Sequence, residues 1–135
     1  MAKKAIQISR GKRKEAIARA TVAQGTGTYT VNAIPVSSIQ APVLRELYLE
    51  PLSFFDDSQN YNITVTVRGG GSSGQAQAAR TAVSKALLLA HGSDEKIKQT
   101  MLMFDRSLLV EDSRRVEPKK FKGPKARARF TKSYR

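Results

Sequence analysis

Between Tyr61 and Arg68 the chain alternates: Tyr61, Ile63, Val65 and Val67 are apolar or aromatic, while Asn62, Thr64, Thr66 and Arg68 are polar. A period of two puts successive side chains on opposite faces of an extended backbone, so this segment predicts a strand with one face inward and one toward water. The run Gly69-Gly70-Gly71-Ser72-Ser73-Gly74 ends that pattern, and a different period follows. From Gln75 to His91, the residues Ala79, Ala82, Val83, Ala86, Leu87 and Ala90 fall at i, i+3, i+4, i+7, i+8 and i+11, one stripe of a helix flanked by Arg80 and Lys85. Alanine dominates the stripe, which lets the helix lie close against a sheet.

The remaining pattern is weaker. Residues Glu15 to Gln24 are small or β-branched, Gly25-Thr26-Gly27 interrupts them, and Thr28 to Asn32 resumes with β-formers, which reads as a hairpin with a glycine-containing loop. Pro42 opens a short helix and Pro51 closes that region. A further helix is expected from Ser93, with Asp94 and Glu95 favoured in its first turn by the helix dipole and Ile97, Met101 and Phe104 facing in. A strand is expected around Leu108 to Val110. The order predicts an α+β fold, a small two-layer sandwich with helices on one face of a mixed sheet. Residues 1–112 would form one globular core with a basic N-terminal edge, and residues 113–135 an extended basic tail.

Charge gives this architecture a purpose. The 135-residue chain has a formal net charge of +13, and it is unevenly placed: residues 1–19 carry +6, residues 20–112 carry −2 and residues 113–135 carry +9. Positive charge held at the two ends contributes little to the fold and is available to a polyanion outside it, which points to nucleic acid. In the tail, Phe121, Phe130 and Tyr134 are interleaved with lysines and arginines. A purely solvating tail or a transport signal has no use for exposed rings, whereas rings and guanidinium planes stack on unpaired bases. Gly123-Pro124 interrupts any continuous helix here, so the tail suits an extended path through RNA, ordered on its partner.

Other chemistries find little support. Without cysteine there are no disulfides, thiolate metal sites or Cys nucleophile. The lone His91 sits beside Gly92, where a helix C-terminus explains it better than catalysis. The longest apolar run, Ala86 to Ala90, is far short of the roughly 20 residues of a membrane span, and the first ten residues lack a signal-peptide core, so a cytoplasmic protein without cofactor or metal is expected.

Two motifs remain. Gly69 to Gly74 has the G-x-x-x-x-G spacing of a phosphate-binding loop, but Gln75 and Ala76 stand where nucleotide hydrolysis needs Lys and then Ser or Thr. Its N–H groups and the helix N-terminus still offer an anion site for an RNA phosphate; alternatively the glycines serve only close strand–helix packing. Gly11-Lys12-Arg13-Lys14 is a basic edge before the first expected strand, with pairing of Lys14 to core acids as the structural alternative.

Gly11-Lys12-Arg13-Lys14-Glu15-Ala16 with Ala18-Arg19, Gly25-Thr26-Gly27 and Val31-Asn32 resembles the opening of the universal ribosomal protein S9 family of the small subunit. Gly69 to Ala76 leading into an alanine-rich helix with Arg80 is similar too, as are Asp112 to Lys120 and the Lys-Ala-Arg-Ala-Arg-Phe segment before a terminal Arg. The chain ends in Ser133-Tyr134-Arg135, which resembles the archaeal and eukaryotic cytosolic form rather than the bacterial Ser-Lys-Arg. The resemblance implies a left-handed β-α-β crossover, a core on the RNA of the subunit head beside neighbouring head proteins, and a tail that reaches the peptidyl-site tRNA.

On these combined grounds the expected contacts to small-subunit ribosomal RNA are Lys12, Arg13, Lys14, Arg19, Arg68, Gly70, Gly71, Ser72, Ser73, Gln75 and Arg80 in the core. In the tail they are Arg114, Arg115, Lys119, Lys120, Lys122, Lys125, Arg127, Arg129 and Phe130, with Lys132, Ser133, Tyr134 and Arg135 at the tRNA. The alternative is an enzyme, because the glycine and serine loop also resembles that of the small-metabolite kinases related to galactokinase. A kinase would need a base, phosphate-binding side chains and a second lobe, which about 93 core residues do not offer. A DNA-compacting role is disfavoured by the single domain and the Gly-Pro-broken tail.

Overall fold

The computed structural model describes residues 6–131. Five strands, β1 (Gln7–Arg13), β2 (Ala16–Gln24), β3 (Tyr29–Val31), β4 (Ile34–Pro35) and β5 (Tyr61–Arg68), form one sheet in the order β1-β2-β5-β3-β4. Neighbours are antiparallel except β5 and β3, which are parallel, so the sheet is mixed. The parallel pair is joined through α1 (Pro42–Leu49); α2 (Ser72–Ala90) and α3 (Glu95–Phe104) follow β5. This is the expected α+β arrangement, with α2 lying across β1, β2 and β5 and α1 packed on α2.

Close packing explains why these residues are so small. Ala16, Ala18, Ala20 and Val22 of β2 are buried, as are Ala78, Ala79, Ala82, Val83, Ala86 and Leu87 of α2. Gly11 is the tightest point, where a Cβ would lie 2.1 Å from the Ala78 carbonyl oxygen and 2.7 Å from the Ala82 nitrogen. Only hydrogen fits between this strand and the helix.

The strand over 61–68 and the prolines flanking α1 are where the pattern puts them, and α2 starts three residues before Gln75. The expected hairpin is not formed. β2 pairs with β1 on one side and with β5 on the other, and the Gly25-Thr26-Gly27 segment crosses the end of β5 to reach β3. Asn62 holds that crossing: its Oδ1 accepts from the Thr26 N–H at 2.8 Å, while Gly25 N–H donates to the Asn60 carbonyl at 2.8 Å. The hairpins are instead β1–β2, turning at Lys14-Glu15, and β3–β4, turning at Asn32-Ala33, where both residues have positive φ as a type I′ turn requires. Asn32 then continues the ladder with its side chain, accepting from Val67 N–H at 2.9 Å and donating to the Val67 carbonyl at 3.2 Å.

Three smaller expectations also change. Leu108 to Val110 is no strand: Arg106–Leu108 is a 3-10 turn, capped by the Asp105 carboxylate accepting from Ser107 N–H at 2.8 Å. Phe104 is exposed rather than inward, resting edge-on against Phe54, while Met101 fills the core. The tail is not fully extended, because Glu117 and Arg127 pair at 2.7 Å and Gly123 is buried against Ala128, so the chain doubles back.

Candidate nucleic-acid interface

The glycine loop is built by strain that only glycine relieves. Gly69 and Gly70 have φ of +75° and +64°, and a Cβ on Gly69 would lie 2.5 Å from the Glu15 carbonyl oxygen. The loop therefore presses on the β1–β2 turn. Gly71 caps α2 without any side-chain acceptor, leaving first-turn N–H groups of Ser72, Ser73 and Gly74 without intrahelical partners. Gln75 braces the loop by donating to the Gly69 carbonyl at 3.1 Å. Arg13, Lys14, Gly70, Gly71, Ser73, Gly74 and Gln77, with Val116 at the start of the tail and the exposed carboxylate of Glu15 at the β1–β2 turn, line a cleft of about 370 Å³. Free donors, the positive end of a helix and Lys14 converge there, the ingredients of a phosphate site. Lys14 makes no ion pair among the described residues.

Two arginines of the expected set are committed elsewhere. Arg80 is 8% exposed and pairs with Glu50 at 2.5 Å and Asp105 at 2.9 Å, while also donating to the Ser107 hydroxyl at 2.8 Å. It is a core brace tying α2 to the turns after α1 and α3, which removes it from the phosphate-facing set. Partial burial alone would raise the Asp105 carboxyl, but hydrogen bonds from the Ser107 N–H, the Ser107 hydroxyl and Arg80 hold it below the ordinary carboxylate range. Arg13 is also braced, to Asp112 at 2.8 Å and to Gln77 Oε1 at 2.7 Å. Hydrogen bonds from the Arg114 side chain and backbone hold Asp112 well below that range, helped by the charges of Arg114 and Arg13. These links, with Lys85 to Glu111 at 3.3 Å, stitch the segment before the tail onto β1 and α2. They leave little trace in the sequence, since Arg80 stands one position off the apolar stripe and its acids are 30 and 25 residues away.

Most of the other expected cations among the described residues are exposed. Arg19 and Arg68 are exposed on the sheet face opposite the helices, and with Ile17 and Thr66 they line a shallow cleft of about 400 Å³. In the tail, Arg115, Lys119, Lys120, Lys122, Lys125 and Arg129 are exposed; Arg114 and Arg127 are exposed too, although paired with Asp112 and Glu117. Phe121 and Phe130 are 88% and 72% exposed, with the Lys122 ammonium 5.9 Å from the Phe121 ring centre. Sequence reasoning missed Arg10, which joins this open face because β1 was not foreseen as a strand. Lys132, Ser133, Tyr134 and Arg135 lie outside the described residues.

The family described as ribosomal protein S9/S16 matches residues 11–135, from the basic edge through the glycine loop and the whole tail. The chain belongs to this family. Among curated relatives, the small ribosomal subunit protein uS9 of Picrophilus torridus is 44% identical over 95% of this chain and 96% of its own length. That of Halobacterium salinarum is 45% identical over 93% and 96%, and that of Debaryomyces hansenii 44% over 93% and 94%. Membership of the S9/S16 family gives the chain a structural ribosomal role and sets aside the kinase alternative.

Proposed function

We propose that this chain is a constituent of the small ribosomal subunit in the cytoplasm, binding small-subunit ribosomal RNA in the head among neighbouring head proteins. The observation that carries this is the extent of the family match, which includes the basic tail as well as the core. The near-neutral core then serves as a platform that presents phosphate-binding groups at its edges.

Within that role, the Gly69 to Gly74 loop and Lys14 receive an RNA phosphate through backbone N–H groups, and the tail from Arg114 to Phe130 threads between RNA segments. The tip, Lys132 to Arg135, reaches the anticodon arm of the peptidyl-site tRNA. A terminal guanidinium suits this task because its planar fork directs hydrogen bonds to phosphate oxygens in a way that Lys cannot copy. Sedimentation of a cell extract tests the reading. The protein should comigrate with small subunits and remain there in moderate salt; a position at the top of the gradient overturns it.

A further inference from the structure

The face of the sheet turned away from α2 is uncovered among the described residues. Register sets its side chains in cross-strand rungs. Arg10, Arg19 and Thr66 form one rung across β1, β2 and β5; Lys12, Ile17 and Arg68 form the next. On the other side of the first rung lie Ile8, Thr21, Thr64 and Thr30. They alternate with Gly11, Ala18, Ala20, Val65 and Val67, which are buried under the helix.

These three rungs hold four cations and no carboxylate. Arg10 and Arg19 stand directly opposite each other, an arrangement that costs stability in an isolated sheet. Carboxylates pair with Arg13, Arg80 and Lys85 on the helix side of the sheet, yet Arg10, Lys12, Arg19 and Arg68 make no ion pair among the described residues. The face therefore carries positive charge that nothing among the described residues neutralises.

The rest of the face says which polyanion. None of these rungs contains an aromatic residue, so there is no ring on which an unpaired base could stack. They contain four threonines instead, whose hydroxyls both donate and accept, as a ribose 2′-OH does. A carboxylate-rich protein segment, which only accepts, would use half of that capacity. Double-helical RNA presents phosphates and 2′-hydroxyls together across its wide, shallow minor groove.

We propose that this open sheet face docks on the sugar–phosphate backbone of a double-helical RNA segment across its minor groove, as a contact surface separate from the glycine loop and the tail. The proposal rests on the reading that the chain binds ribosomal RNA. Its test uses the full chain, a 20-base-pair RNA duplex of mixed sequence and a single-stranded RNA of about the same length. An Arg10→Ala/Arg19→Ala/Arg68→Ala variant should lose about tenfold or more in duplex affinity, and its salt slope should flatten by about 2 to 3. Single-strand affinity, dominated by the tail, should change less than about twofold. Thr64→Asp, which puts an anion on the face without removing a cation, should also weaken duplex binding selectively. Unchanged duplex binding by both variants, or an equal loss on both RNAs, overturns the proposal. So does a variant that keeps duplex RNA but loses poly-glutamate, which would mark an acidic protein partner. If the parent protein binds neither RNA, the ribosomal RNA reading itself falls.

Discussion

Arg80 illustrates how far a single guanidinium can differ from its appearance in the sequence. In an alanine-rich helix it reads as a surface charge, but Glu50, Asp105 and Ser107 surround it. Removing it leaves two carboxylates facing each other with partial access to water, so Arg80→Ala should cost about 2 kcal/mol in urea unfolding. RNA affinity at a salt concentration where both proteins are folded should be unchanged. Lys14→Ala should behave in the opposite way, leaving stability alone and reducing the RNA salt slope by about 1. Asp105 adds a pH dependence whose sign follows from its lowered folded-state value. Its stabilising contribution is present above the unfolded-state value near 3.9 and is lost as pH falls through the lower folded value. Asp105→Asn should therefore be less stable than the parent at neutral pH, and the difference should close below about pH 4. Gly11→Ala tests the tight β1–α2 approach; it should cost about 3 kcal/mol, because backbone on the opposing helix cannot yield as a side chain would.

At the scale of elements, the legible parts were those whose period is a local property. β5 alternates cleanly because one face packs under α2 and the other is open, and the α2 stripe marks the side that touches the sheet, although α1 and the turns after α1 and α3 bury much of the rest of that helix. β1 was hidden because its buried position is Gly11 and its outward positions are Ile8, Arg10 and Lys12, with no run of inward apolar residues, so its second half reads as a basic cluster and not as a strand. The misjudged hairpin has a different cause: sequence neighbours β2 and β3 are separated by β5, and only long-range pairing decides that. That the glycine loop is not a nucleotide-hydrolysing loop was legible, because the lack of Lys and Ser or Thr after it is a chemical fact, independent of fold. Titration with ATP or GTP should accordingly show no saturable micromolar binding. Arg13 and Arg80 were not legible, since their carboxylate partners come from segments 99, 30 and 25 residues away.

At the scale of the whole molecule, the protein is a nearly neutral α+β platform from which basic surfaces project: one at the β1–β2 turn and open sheet face, one in the tail. In the proposed function the tip adds a separable contact. Deleting the last three residues should weaken peptidyl-site tRNA binding by isolated subunits by about 1 to 3 kcal/mol while assembly proceeds; failed assembly with normal tRNA affinity would make the tip a scaffold element. In the proposed function, affinity for RNA comes from phosphate neutralisation by these surfaces, and salt dependence measures that directly. If about 8 to 12 phosphates are neutralised, the slope of log affinity against log salt should be roughly −6 to −11 for the full chain on small-subunit RNA. Truncation after Asp112, which keeps the partner of Arg13, should flatten the slope markedly while the core still melts cooperatively. A truncated protein that retains the full slope would mean that the tail does not neutralise RNA phosphates.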